Sequence, residues 1–233
     1  MAEKSDRRKA RSMSRVYLVV EGQTEETFVR ELLQPYYATI GLYLTPIIIG
    51  TSTGYRGGVV SYAKVRPQLV RLCKQDVSAH VSTLFDLYAL PADFPGQGAA
   101  GYPAAGTGRQ KATFLQAQMA SDVNQPNFIP NLMVHEFEAL LFTRPDQFSG
   151  WVDDARVVER LRATAKAFAT PEDINDDPQT APSKRILAVM PRYQKTFHGP
   201  LIACGVGLDA LRAACPHFHA WLQQLEALAP EAV

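Results

Sequence analysis

Three stretches of the chain set acidic side chains where an apolar strand runs out. The first is VYLVVEG, residues 16–22, followed by TEETFVRELL. A strand buried in a parallel sheet carries no charge, so Glu21 must lie at or just beyond its carboxyl end. That edge is where open α/β sheets bind ligands. Gly22 permits a tight turn and Thr24 can cap the next helix, which puts Glu25 and Glu26 in its first turn. Glu21 and Glu25 can then converge from the two sides of the turn, an oxygen-rich seat for a hard divalent cation. Glu25 and Glu26 can equally do no more than complement the helix dipole.

Asp86 closes the apolar run VSTLF in a third strand. If strands one and three are neighbours, Asp86 faces Glu21 across the point where the strand order reverses. Otherwise it is an ordinary turn former. The third stretch is MVHEFEALLF, residues 133–142. An extended chain places Glu136 and Glu138 on one face. A helix starting there makes His135 and Glu138 i, i+3 neighbours and packs Phe137, Leu140 and Leu141 inward. The sequence leaves both arrangements open, beside a plain capped helix start with a surface histidine.

Cations that could meet a phosphate lie in two places. The turn GTSTGYRGG, residues 50–58, is not a P-loop, since no G-K-[ST] follows. Its backbone amides and Arg56 could still cradle a phosphate, or the turn is simply tight. Further on, Ser183 is a reasonable helix N-cap, and Lys184, Arg185 and Lys195 either bind phosphate or form a solvated face. Asp93 lies in a Pro/Gly loop that need hold no fixed geometry. His217 and His219, two apart with no acid nearby, are a poor metal pair, and an aromatic helix packing on the sheet suits Phe218 and Trp221 better. No Cys/His dyad or G-x-S-x-G elbow supports nucleophilic hydrolysis.

The elements that must position these residues alternate strand with helix, which predicts an α/β fold. Strand one covers 16–20. A helix over about 24–39 places Phe28, Leu32, Leu33 and Tyr36 on one face. Strand two, about 42–49, contains Pro46 and so belongs at an edge or a bulge. Helices near 59–76 and 109–122 flank strand three, about 80–88, and a loop over 91–108; strand four covers about 128–134. Beyond Phe142 the pattern is helical. We therefore expect a disordered basic tail over 1–14, an α/β domain over 15–144, and a helical extension over 145–233 packed on it.

Composition narrows the class. The 233 residues are 46% hydrophobic and 20% charged, with a formal net charge of +1. A polyanionic partner would have to be met by a local patch. Cys73, Cys204 and Cys215 are scattered, which speaks against a zinc module or a disulfide framework and suits the cytoplasm. No apolar run is long enough to span a membrane.

VEGQTEETF, TLFDLYAL and HEFEALLF, with NDDPQTAPSKRI and CPHFHAW further on, resemble a prokaryotic family of unknown function, numbered four-two-seven-six among such families. That family is regarded as TOPRIM-like, sharing its fold with topoisomerases, DnaG-type primases and overcoming-lysogenization-defect nucleases. The resemblance implies a parallel four-stranded sheet flanked by helices, with a helical C-terminal extension. It implies a Mg²⁺- or Mn²⁺-dependent nuclease or nickase acting on nucleic acid, DNA rather than RNA. It also implies a partner ATPase of the ABC or structural-maintenance type and a role in antiviral defence. The alternative is a non-catalytic TOPRIM-like subunit that binds its ATPase partner or a nucleotide. Glu21 matches the superfamily Glu after the first strand, Glu25 the additional acid of the nuclease branch, and Asp86 the first Asp of an Asp-x-Asp pair. Tyr88 stands where the second Asp belongs.

Glu136 or Glu138 is then expected to supply the missing carboxylate, with Glu138 ahead. On that expectation, Tyr88→Asp crowds like charges together and leaves Mn²⁺ affinity flat or weaker. A gain in Tyr88→Asp, with no effect of Glu138→Gln in the same calorimetric titration, would rule the replacement out.

Overall fold

The computed structural model describes residues 13–49, 61–88, 90–174, 177 and 179–230. Arg56 and nearly all of the expected basic tail fall outside them. Strands β1 (Ser14–Val20), β2 (Leu42–Ile48) and β3 (His80–Asp86) pair in parallel, in the order β2-β1-β3, with a fourth position beside β3. β1 is central, with Val20 beside Ile48 on one side and Leu84 on the other. Pro46 lies on the edge strand β2, where its missing N–H costs no ladder bond on the open side.

The fourth sheet position is two short pieces, β4 (Phe128–Ile129) and β5 (Leu132–Met133), both parallel to β3. Pro130 cannot donate to the ladder. Thr83 bridges the interruption: its Oγ1 donates to the Asn131 carbonyl at 2.7 Å and accepts the Asn131 N–H at 2.8 Å.

Alternation along β1 feeds two cores, as expected of a sheet covered on both faces. Val16, Leu18 and Val20 pack with the first helices and with Phe218, Trp221 and Leu222 of α9 (Pro216–Glu226). Val19, Val81 and Phe85 pack on the other face against α3 (Tyr62–Gln75) and α4 (Gly108–Val123). The Trp221 indole donates to Ser82 Oγ at 3.0 Å and ties α9 to β3. The buried Glu172 carboxylate accepts the amides of His217 and Phe218 and caps that helix. Among the described residues no helix is long and apolar enough to cross a membrane.

The helical span after β1 departs from the expected face. It runs as α1 (Gln23–Phe28), a π-helical stretch (Val29–Leu33) and α2 (Gln34–Thr39). The wider π turn inserts one residue into the 3.6 repeat. Inward positions therefore step from Phe28 to Leu33 to Tyr37, while Tyr36 turns out to solvent.

Asp93 also departs from expectation. Its carboxylate accepts the Tyr62 and Ala63 amides and the Ser61 hydroxyl, all at 2.8–2.9 Å, and so caps the start of α3 from the loop. The Ala63 and Tyr62 amides hold its carboxyl below the ordinary Asp value. A depressed pKa contributes stability above the ordinary value near 4, and that stability is lost as pH falls through the folded value. Asp93→Ala should therefore cost about 1 kcal/mol at neutral pH, with the deficit shrinking in acid. Urea unfolding at the two pH values checks this; an equal deficit at both would contradict the capping role.

Candidate active site

β1 and β3 are parallel neighbours, so the residues that end them emerge at the same edge of the sheet. Glu21 follows Val20, and its Oε1 accepts the Asp86 backbone N–H at 2.7 Å. Gly22, not Thr24, is the N-cap of α1, in an extended conformation that any residue can adopt. Thr24 is buried within the helix. Glu25 is buried beside it, while Glu26 turns outward to Arg30 at 2.9 Å.

The 133–142 stretch takes neither simple form. Past the strand ends the ladder continues, with Leu87 N–H on the Met133 carbonyl and Tyr88 N–H on the His135 carbonyl. His135 then adopts a left-handed backbone, φ 65°. That residue reverses the chain, leaves Glu136 extended and starts a 3₁₀ helix over Phe137–Thr143. The Phe137 amide, freed at the helix start, donates to Asp86 Oδ1 at 2.9 Å. Glu136 and Glu138 are both buried, with different partners. Glu136 Oε2 accepts the Ser183 amide at 2.9 Å, in the first turn of α6 (Pro182–Val189). Glu138 Oε1 accepts the Tyr193 hydroxyl at 3.4 Å.

One cation enters this cluster. Lys195 opens α7 (Lys195–Val206), and its Nζ lies 3.1 Å from Glu138 Oε2 and 3.5 Å from Asp86 Oδ2. Apart from that ion pair, Glu138 Oε2 has no hydrogen-bond partner. Lys195 thus pairs with Asp86 and Glu138 and acts at longer range on Glu21 and Glu25, while Glu136 is held by the Ser183 amide.

The charge is expensive. Burial, then Asp86 and Glu25, push the Glu21 carboxyl well above its ordinary value. Burial and then Asp86 lift Glu25 to about 7. Burial raises Asp86 against the opposing pull of Lys195, and burial lifts Glu138 to about 7 with the same opposition. Burial alone would lower Lys195, but Asp86, Glu138 and Glu25 outweigh it and raise it. The ammonium therefore stays charged, and the carboxylates compete for it.

The donor set consists of carboxylate oxygens, which suit Mg²⁺ or Mn²⁺ rather than a soft metal. Glu138 Oε2 meets the Lys195 ammonium at 3.1 Å and no hydrogen-bond donor, so it is free to serve a metal if that lysine moves. Among the described residues, however, no three acidic, Cys or His side chains close around one point at coordination distance. Lys195 instead lies between Asp86 and Glu138, so a cation there requires their side chains to turn.

Ser183 is not an N-cap. Ala181 holds that position, with Pro182 opening α6, and the Ser183 amide goes to Glu136. Lys184 is exposed on α6, while Arg185 turns to the Thr180 carbonyl and lies over the Phe168 ring. The sequence reading missed Tyr193 and the ion pairs of Lys195. No local pattern signals either, since Lys195 meets Asp86 across 109 positions of chain.

Comparison with known proteins adds the following. No curated protein matches the chain. Among solved structures, the C-terminal region of the Burkholderia pseudomallei OLD protein matches with a TM-score of 0.48 at 16% identity, covering 94% of this chain and 100% of that one. The C-terminal region of the Xanthomonas campestris pv. campestris OLD protein matches with a TM-score of 0.39 at 15% identity, covering 91% and 97%. The family model described as Domain of unknown function (DUF4276) matches residues 20–226. That match runs from the end of β1 to the end of α9, and the chain belongs to the DUF4276 family.

Proposed function

We propose that the chain is a Mg²⁺- or Mn²⁺-dependent nuclease or nickase, and that the carboxylate cluster at the ends of β1 and β3 is its catalytic centre. One observation carries the reading: five carboxylates from three chain segments, three of them buried and two part-buried, gather at one edge of the sheet, and among the described residues a single ammonium pairs with two of them. Such a surplus of negative charge calls for a cation of higher charge. Glu21, Asp86 and Glu138 would hold the cation, with Glu136 beside them. Bound there, it would polarise a scissile phosphate and supply a nucleophilic water at neutral pH.

The chain's own groups divide the remaining work. Lys195, 41% exposed at the mouth of the cluster, is placed to neutralise charge that develops on phosphate oxygens. Glu25, lifted to about 7 by burial, has a proton affinity suited to exchange with water near neutral pH. Glu21 and the Phe137 amide fix the Asp86 backbone and carboxylate, and the Tyr193 hydroxyl orients Glu138. Lys184 and Arg185 are assigned to neighbouring phosphates of the substrate, and Arg56, outside the described residues, is proposed as a phosphate ligand from the sequence alone. A DNA substrate, an ATPase partner and a setting in antiviral defence belong to the same proposal and rest on the family resemblance.

A second reading has its own observation. The ion pairs of Lys195 with Asp86 and Glu138 already neutralise part of the cluster, as a non-catalytic subunit that binds an ATPase partner or a nucleotide would need.

Titration calorimetry with Mn²⁺ and a plasmid-nicking assay separate the two. The nuclease reading expects Mn²⁺ binding by the native chain, at least about 10-fold weaker binding in Glu21→Ala and Asp86→Ala, and loss of nicking in both. Glu26→Ala should behave as native. Absence of Mn²⁺ binding by the native chain, with unfolding of Lys195→Met, would support the non-catalytic reading instead.

A further inference from the structure

Two large aromatic side chains stand exposed beside the cluster. Phe197 is 51% exposed and Trp151 36%. Their rings meet edge to face, with centroids 5.6 Å apart and planes at 86°, which makes an open corner on the surface. The corner is tied to the carboxylates through a chain of rings. His198 touches both members, at 5.3 Å and 5.1 Å, and stacks on Tyr193 at 5.8 Å, whose hydroxyl reaches Glu138. The Gln194 amide donates to His198 Nδ1 at 2.8 Å and holds that ring in place. Lys195, which enters the cluster, precedes Phe197 by two residues in the first turn of α7.

Exposed rings lose little rotamer freedom when already braced by neighbours, and every nucleobase offers a face to stack on them. Two part-exposed rings cover far less than the roughly 800 Å² per partner of a stable protein interface. Leu201, one turn on, adds a single aliphatic edge. The surrounding charge is mixed: Lys195 lies two residues before Phe197, and Asp153 and Asp154 follow Trp151, with Asp154 tied to Arg156 at 2.8 Å. The Lys195 ammonium lies at the cluster, where a backbone phosphate would enter.

We infer that Trp151 and Phe197 form a stacking platform for an unpaired nucleobase next to the scissile phosphate, so that the substrate is held single-stranded at this point. The inference rests on the nuclease reading for the position of the phosphate. The base leaves its neighbours and lies against the Phe197–Trp151 corner, and paired bases in a duplex are denied that contact.

The test uses a fluorescein-labelled oligothymidylate, free or annealed to its oligoadenylate complement, with EDTA present so that no strand is cut. Anisotropy should show tighter binding of the single strand. Intrinsic tryptophan fluorescence should be quenched on binding, and the quenching should vanish in Trp151→Phe, because the other tryptophan, Trp221, is buried. Phe197→Ala should weaken single-strand binding by about 5- to 150-fold, and Phe197→Tyr should restore it. Unchanged single-strand affinity in the Trp151→Ala/Phe197→Ala variant would overturn the platform while leaving the nuclease reading standing. Loss of self-association in that variant, with nucleic-acid affinity unchanged, would make the corner a protein contact and overturn the platform as well. Failure of the native chain to bind either strand form would overturn the platform, whereas the nuclease reading stands or falls on the Mn²⁺ titration and the nicking assay.

Discussion

The constraint on which the rest depends is the shared edge of β1 and β3. Because the two strands are parallel and adjacent, the acid that ends each must emerge beside the other. The Asp86 backbone amide donates to Glu21 Oε1 at 2.7 Å and ties the two strand ends together. Glu25 enters from the first turn of α1, and the 3₁₀ helix brings Glu138 within the same low-dielectric volume. Each added carboxylate raises the proton affinity of the others, and burial supplies the larger part of the rise. Lys195 is the local answer to that repulsion, and it links the helical second half of the chain to the sheet.

Much of this was legible in the sequence, for simple reasons. A buried parallel strand excludes charge, so Glu21 and Asp86 had to mark strand ends, and Pro46 had to sit on an edge. The alternation of strand and helix lengths pointed to an α/β fold with a parallel sheet. What escaped depended on local backbone devices without a periodic signature. The π turn moved the buried position from Tyr36 to Tyr37. The left-handed His135 reversed the chain and let Glu136 and Glu138 serve different partners, an arrangement that neither an extended chain nor an ordinary α-helix allows.

Long-range hydrogen bonds escaped for a related reason. Asp93 looked like a loop residue free of geometric duty, yet its carboxylate caps α3 from 30 to 32 positions away. Ser183 looked like an N-cap, yet its amide serves Glu136. Ser183 did announce a helix start nearby and Asp93 announced none, and in both cases the partner could be found only in three dimensions. Lys195 is the sharpest instance. Nothing around it in the sequence distinguishes it from a solvated lysine, but it is the one cation paired with Asp86 and Glu138 among the described residues.

The central claim is that this carboxylate cluster is a divalent-cation site that uses Glu21 and Asp86. Crystals grown or soaked with Mn²⁺ and measured at its absorption edge give the most direct answer. The account predicts an anomalous peak with carboxylate oxygens of Glu21 and Asp86 at about 2.1–2.2 Å, and Lys195 Nζ displaced from between Asp86 and Glu138. A fully occupied Mn²⁺ elsewhere, with the Lys195 ion pairs intact, would contradict it.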